Sequence, residues 1–182
     1  MKRMFALLLI LVLAAAGTAV AEDLTQTFAT PYYALSIPAG WTIDTSDLKS
    51  DKDYEELGLI YSPDDPGLTV DASLSYYSDM KDVSLWKATD AQMQDYIDKL
   101  TKELEDYEGR YVSTLQVGRI PFVVFHASDE YGPYYYVDTM TNGYAVVFYV
   151  YDYNYGTKQY TDPTEAEWSL FERILSTFVP VA

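Results

Sequence analysis

The chain has 182 residues, 12 of them basic and 28 acidic, for a formal net charge of −16, and it contains no cysteine and one histidine. A surface this acidic argues against nucleic acid and anionic membranes as partners, because both are gripped by positive groups that displace counterions or meet lipid headgroups. Without cysteine there is no disulfide, no lipidated thiol and no Cys-His catalytic pair, and a single histidine cannot build a multi-histidine zinc site.

Lys2 and Arg3 precede an apolar run from Met4 to Ala16, and Ala19-Val20-Ala21 has the small-x-small pattern of a signal peptidase site. Residues 1–21 are therefore expected to be a signal peptide cleaved after Ala21. The apolar run is shorter than the roughly 18 to 20 residues that cross a bilayer. Residues 22–182 then form an exported, secreted chain with ten basic residues against 28 acidic ones, a net charge of −18. We expect one domain, monomeric and with no membrane span after cleavage, and the lack of disulfides favours a bacterial source.

Residues 22–30 read as a polar lead-in. From Tyr33 the alternation Y-A-L-S-I-P-A-G-W-T-I predicts a strand, a tight turn at Pro38-Ala39-Gly40 and a second short strand, with Leu35, Ile37, Trp41 and Ile43 turned to the core. Residues 44–56 are charged and read as a surface loop. A strand follows over 57–62. Then comes a Pro/Asp/Gly loop and a cleanly alternating strand with Leu68, Val70, Ala72, Leu74 and Tyr76 inward and Thr69, Asp71, Ser73 and Ser75 on a polar face.

Thr89 with Gln92 fits a capping box, and Met93, Ile97, Leu100, Leu104 and Tyr107 recur at helical spacing before Gly109. Strands resume on both sides of the Gly118-Arg119 turn. Near the end, Asp162 is expected to cap a helix running to about Thr177, with Pro163 at its first position and Trp168, Phe171, Ile174, Leu175 and Phe178 inward. Short reversals between neighbouring strands predict an α+β fold with a largely antiparallel sheet of about six to eight strands packed with helices.

Four stretches carry a resemblance: Y-A-L-S-I-P-A-G-W from Tyr33, V-G-R-I-P-F from Val117, N-G-Y at Asn142, and F-E-R-I-L-S-T-F-V-P from Phe171. Together they resemble the PsbP-like family, over most of residues 31–180, and imply an α/β/α sandwich. These motifs are structural, and members of that family bind different partners on one scaffold, so no functional residue is transferred.

Enzyme signatures are scarce. His126 is placed on the strand face opposite Val124, as a structural histidine, and there is no G-x-S-x-G elbow. Carboxylates abound, but a hydrolytic pair needs a defined separation across a cleft. Asp152 opens a stretch like a calcium loop, yet position six is Thr157 and position twelve is Pro163, so the turn and the closing ligand are missing. A surface calcium site at Asp51, Asp53, Asp64 or Asp65 would be weak. No catalytic residue, metal ligand or cofactor is assigned.

The remaining feature is the segment from Tyr134 to Tyr155, with eight tyrosines in 22 residues. Asn142-Gly143 between two alternating runs predicts a type I′ hairpin in which Tyr136 faces Tyr149 and Tyr134 faces Tyr151. Tyr153 continues that row, while Tyr135 and Tyr144 belong to the opposite, core-facing side. Tyr134, Tyr136, Tyr149, Tyr151 and Tyr153 are thus the candidate binding residues, offering apolar rings with hydroxyl rims. The expected function is an exported, non-catalytic binding or accessory domain with a protein or glycan partner outside the cytoplasm. The alternatives are a carbohydrate or small-ligand binder using the tyrosine face, and a hydrolase using His126 or carboxylates such as Asp138.

Overall fold

The computed structural model describes residues 23–64 and 66–181, so the expected signal peptide and Asp65 lie outside the described residues. Five strands come first: β1 (Leu24–Ala29), β2 (Tyr33–Pro38), β3 (Thr42–Asp44), β4 (Tyr54–Tyr61) and β5 (Gly67–Tyr76). Helix α1 (Asp90–Glu103) follows, then β6 (Arg110–Val117), β7 (Ile120–Asp129), β8 (Gly132–Thr141), β9 (Tyr144–Asn154) and β10 (Gln159–Thr161). Helix α2 (Glu165–Leu175) and a short β11 (Val179–Pro180) close the chain.

The main sheet is antiparallel and eight-stranded, in the order β3-β4-β5-β9-β8-β7-β6, with β10 paired to the far end of β9. A second sheet, β1-β2-β11, is also antiparallel. The chain is thus α+β, with the main sheet as the middle layer. On one face Phe28, Tyr33, Leu35 and Ile37 of the small sheet and Phe171, Ile174 and Leu175 of α2 pack on Val70, Val124, Val137 and Phe148. On the other face Tyr96, Ile97 and Leu100 of α1 cover Val123, Phe125, Tyr136 and Val147.

Pro38-Ala39-Gly40 is a corner between sheets rather than a hairpin, since β2 and β3 pair with different partners. Two segments read as irregular are strands. Residues 24–29 form β1, whose burial rests on Phe28. The 44–56 loop ends early, because β4 starts at Tyr54 and pairs with Ser75. Polar residues recruited by an ordered neighbour leave little periodic trace, which is why both were missed.

Thr89 caps α1 as expected, its Oγ1 accepting from Gln92 N at 3.3 Å while Gln92 Oε1 accepts from Thr89 N at 3.0 Å. Tyr107 does not continue the buried stripe; it lies beyond the helix and is 45% exposed, and Tyr96 takes the inward position instead. Asp162 is not the cap of α2. Thr164 and Glu167 form the reciprocal box, and the helix ends at Leu175. Thr164→Ala is expected to cost about 1 kcal/mol, read as a lower denaturation midpoint at unchanged m-value.

The hairpin register is the expected one from Tyr135↔Val150 to Thr141↔Tyr144. Asn142 and Gly143 have φ of 51° and 79°, as a type I′ turn requires. At Gly143 a methyl group would stand 2.8 Å from the Tyr77 carbonyl oxygen, so the turn and its packing both require glycine.

Candidate functional site

The tyrosine face of the hairpin is a core face for most of its length. Tyr134, Tyr136 and Tyr151 are buried, and Tyr149 and Tyr153 are half-buried against the same cluster. The burial follows from α1 lying across β7, β8 and β9 and from β10 crossing the end of β9. Tyr160 on β10 stacks on Tyr151 at 4.0 Å between ring centres, the neighbour that the two-strand hairpin had assigned to Tyr134. Tyr134 turns to Tyr149 instead, at 5.6 Å.

Beneath α1 the row holds a buried carboxylate. Asp138 is 0% exposed and accepts hydrogen bonds from Tyr96 Oη and, at 3.1 Å, from Tyr136 Oη. Desolvation pushes its carboxyl up to about 7 against the opposing pull of the two phenols. Its burial beneath the helix takes Asp138 out of the hydrolase reading. Tyr96 carries no polar signature in the sequence, and only its helical phase relative to Ile97 and Leu100 could have drawn attention to it.

The other hydrolase candidate, His126, lies on the same face as Val124, not the opposite one, because the two are separated by one full pleat. Its ring meets Tyr135 edge-on at 5.1 Å, and its Nε2 stands 2.7 Å from Asp162 Oδ1. Asp162, displaced from the helix cap, thereby ties the entry of α2 to β7.

Where α1 ends, the tyrosine face opens. A cleft of about 290 Å³ is lined by Tyr134, Tyr149 and Tyr151 of the expected row, joined by Tyr54, Tyr107, Tyr160, Leu104, Asp71 and Asp129. Tyr136 and Tyr153 do not reach it. Asp71 pairs with Tyr149 across β5 and β9, and so do Tyr149 and Tyr136 across β9 and β8. One row of the sheet therefore runs from the cleft carboxylate into the core.

Asp71 sits on the strand face expected to be solvated, but Thr69 and Ser73 beside it are buried. Burial, with Glu56 nearby, raises the Asp71 carboxyl to about 6. Burial likewise raises the phenols of Tyr54 and Tyr160, so these two hydroxyls stay protonated donors at neutral pH. No Lys or Arg lines the cleft. Its walls come from six strands and the end of α1, a convergence invisible in any local window of sequence.

Acidic loop residues have local partners. Asp51 Oδ1 accepts from Asp53 N at 2.8 Å, and Asp64 N donates to Ser62 Oγ at 3.2 Å. Among the described residues no group of three or more His, Asp or Glu side chains could hold a metal ion, and no helix is long and apolar enough to cross a membrane.

No protein-family model and no curated protein matches the chain. Among the solved structures similar to it are two of bacterial origin. One is a crystal structure from Bacteroides thetaiotaomicron VPI-5482, with 15% identity and a TM-score of 0.48, covering 88% of this chain and 50% of the other. The chain thus spans about half the length of that structure. The other is the solution structure of cyanobacterial PsbP (CyanoP) from Synechocystis sp. PCC 6803, with 11% identity and a TM-score of 0.48, covering 92% of this chain and 99% of the other. The second is of the family that the sequence motifs resemble.

Proposed function

We propose that this protein is a non-catalytic binding domain working outside the cytoplasm, and that it takes a small ligand in the tyrosine cleft. The location rests on the basic, apolar and small-residue succession of residues 1–21. The observation that carries the binding reading is the cleft itself, with six tyrosines and two carboxylates around about 290 Å³ and no basic residue. Rings supply flat apolar contact at low entropic cost, and phenols and carboxylates supply directional hydrogen bonds. That combination suits a ligand of monosaccharide size, whose C–H faces lie on rings while its hydroxyls meet Asp71 and Asp129.

A second reading is favoured by the uncompensated carboxylates. An alkylammonium ion would meet the tyrosine faces and neutralise Asp71. The two readings separate by pH. Asp71 ionises near 6, so ammonium binding should strengthen as pH rises from 5 to 7.5, whereas saccharide binding should change little.

Calorimetric titration of the intact protein with a monosaccharide panel and with tetramethylammonium, at both pH values, decides between them. Tyr54→Ala, which removes a half-buried wall residue, should weaken whichever ligand binds by at least about tenfold. Absence of heat and of tyrosine ring-current shifts with every ligand would remove the cleft as a binding site.

A further inference from the structure

A second concavity lies on the opposite face of the main sheet, where the small sheet stops short of the tip of the β8–β9 hairpin. It has a volume of about 570 Å³, within the range of small-molecule sites. Leu74 and Phe178 line it from the buried core, and Trp86, Tyr144 and Val181 stand along it half exposed, at 50%, 50% and 57%. Tyr144, expected on the core-facing side, is on that side of β9 but beyond the cover of the small sheet. Trp86 is held in place because Ser84 bridges Thr141 and its Oγ accepts from Asn142 N at 3.1 Å. Single exposed apolar residues are ordinary, but these share one concave surface.

The polar groups of this groove differ in sign from the rest of the molecule. Arg119, in the turn between β6 and β7, lines it, and no carboxylate does. Arg119 has no ion pair or hydrogen bond among the described residues, although the chain carries 28 acids. Lys87 does not line the groove, but its Nζ lies 5.4 Å from the centre of the Trp86 ring that does. Glu55 accepts from Tyr32 Oη at 2.7 Å and is not itself a lining residue.

Thr139 also lines the groove. It is 5% exposed, with its Oγ1 buried and without a hydrogen-bond partner.

We propose that this groove binds a single-chain aliphatic carboxylate, with the chain along the apolar lining and the carboxylate on Arg119. A guanidinium fork matches a carboxylate bidentately, and an apolar chain displaces water from Trp86, Tyr144 and Val181 together. This site is independent of the tyrosine cleft and does not rest on the saccharide or ammonium reading.

Laurate is the probe, with dodecyltrimethylammonium as the matched chain of opposite charge. Trp86 is the reporter, because Trp41 is buried and Trp168 packs on Tyr135 at 4.5 Å. Laurate should protect tryptophan emission from acrylamide quenching and bind at least about tenfold tighter than the ammonium, and Arg119→Glu should abolish that preference. Equal binding of both amphiphiles, or a preference surviving Arg119→Glu, overturns the carboxylate assignment. The groove is instead a bilayer-facing surface if the protein sediments with phosphatidylcholine vesicles but ignores laurate. It is a contact between copies if a dimer forms that Val181→Asp dissolves. Either result likewise overturns the proposal.

Discussion

Asp138→Ala is expected to lower unfolding free energy by about 3 kcal/mol, because it strips the acceptor from two buried phenols. Tyr96 Oη and Tyr136 Oη both donate to this carboxylate, and neither ring can turn to water from beneath α1. Asp138→Asn keeps the volume and one acceptor oxygen and should cost much less. The difference between the two variants in a urea titration separates the loss of hydrogen bonds from the loss of charge.

The same residue sets a pH dependence with a definite sign. Its carboxyl is raised to about 7 in the folded protein, against about 4 in an unfolded chain. The folded state therefore binds more protons than the unfolded state between those values. Stability falls as pH rises through that window and levels off above 7. Asp71 and Asp152, each raised to about 6, add to the slope over its lower part. Denaturation midpoints from pH 4.5 to 8 should show this decline in the parent protein and a shallower one in Asp138→Asn. An equal slope in both would place the titration elsewhere.

The parts legible in the sequence were those written in local periodicity. The β8–β9 register followed from Asn142-Gly143 and alternation alone, and the α1 cap followed from Thr89 and Gln92, because short-range sterics and hydrogen bonding decide both. What stayed hidden depended on which element lies over which. Tyr134, Tyr136 and Tyr151 carry the same pattern whether water or α1 covers them, so the sequence could define their face but not its exposure. The cleft required Tyr54, Tyr107 and Tyr160 to meet from distant segments. Asp162 and Thr164 competed for one cap, and the glutamate three residues after Thr164 decided it.

The largest single effects are expected at Tyr33, where two substitutions should act in opposite directions. Tyr33 is wholly buried in β2, stacked on Phe178 at 5.1 Å and meeting Phe148 edge-on at 5.6 Å and Phe28 at 6.1 Å. It thus joins the small sheet, the last turn after α2 and the centre of the main sheet in one aromatic cluster. Tyr33→Ala should cost about 4 kcal/mol, through lost transfer energy and the cavity left among three rigid rings.

The hydroxyl of Tyr33 has no hydrogen-bond partner in this apolar setting. Its desolvation opposes folding, so Tyr33→Phe should stabilise the protein by about 1 kcal/mol while keeping every ring contact. Guanidinium unfolding of the three proteins at one pH measures both effects. Destabilisation on going to phenylalanine would mean that the hydroxyl is satisfied by a buried water, and that part of the packing argument would have to be withdrawn.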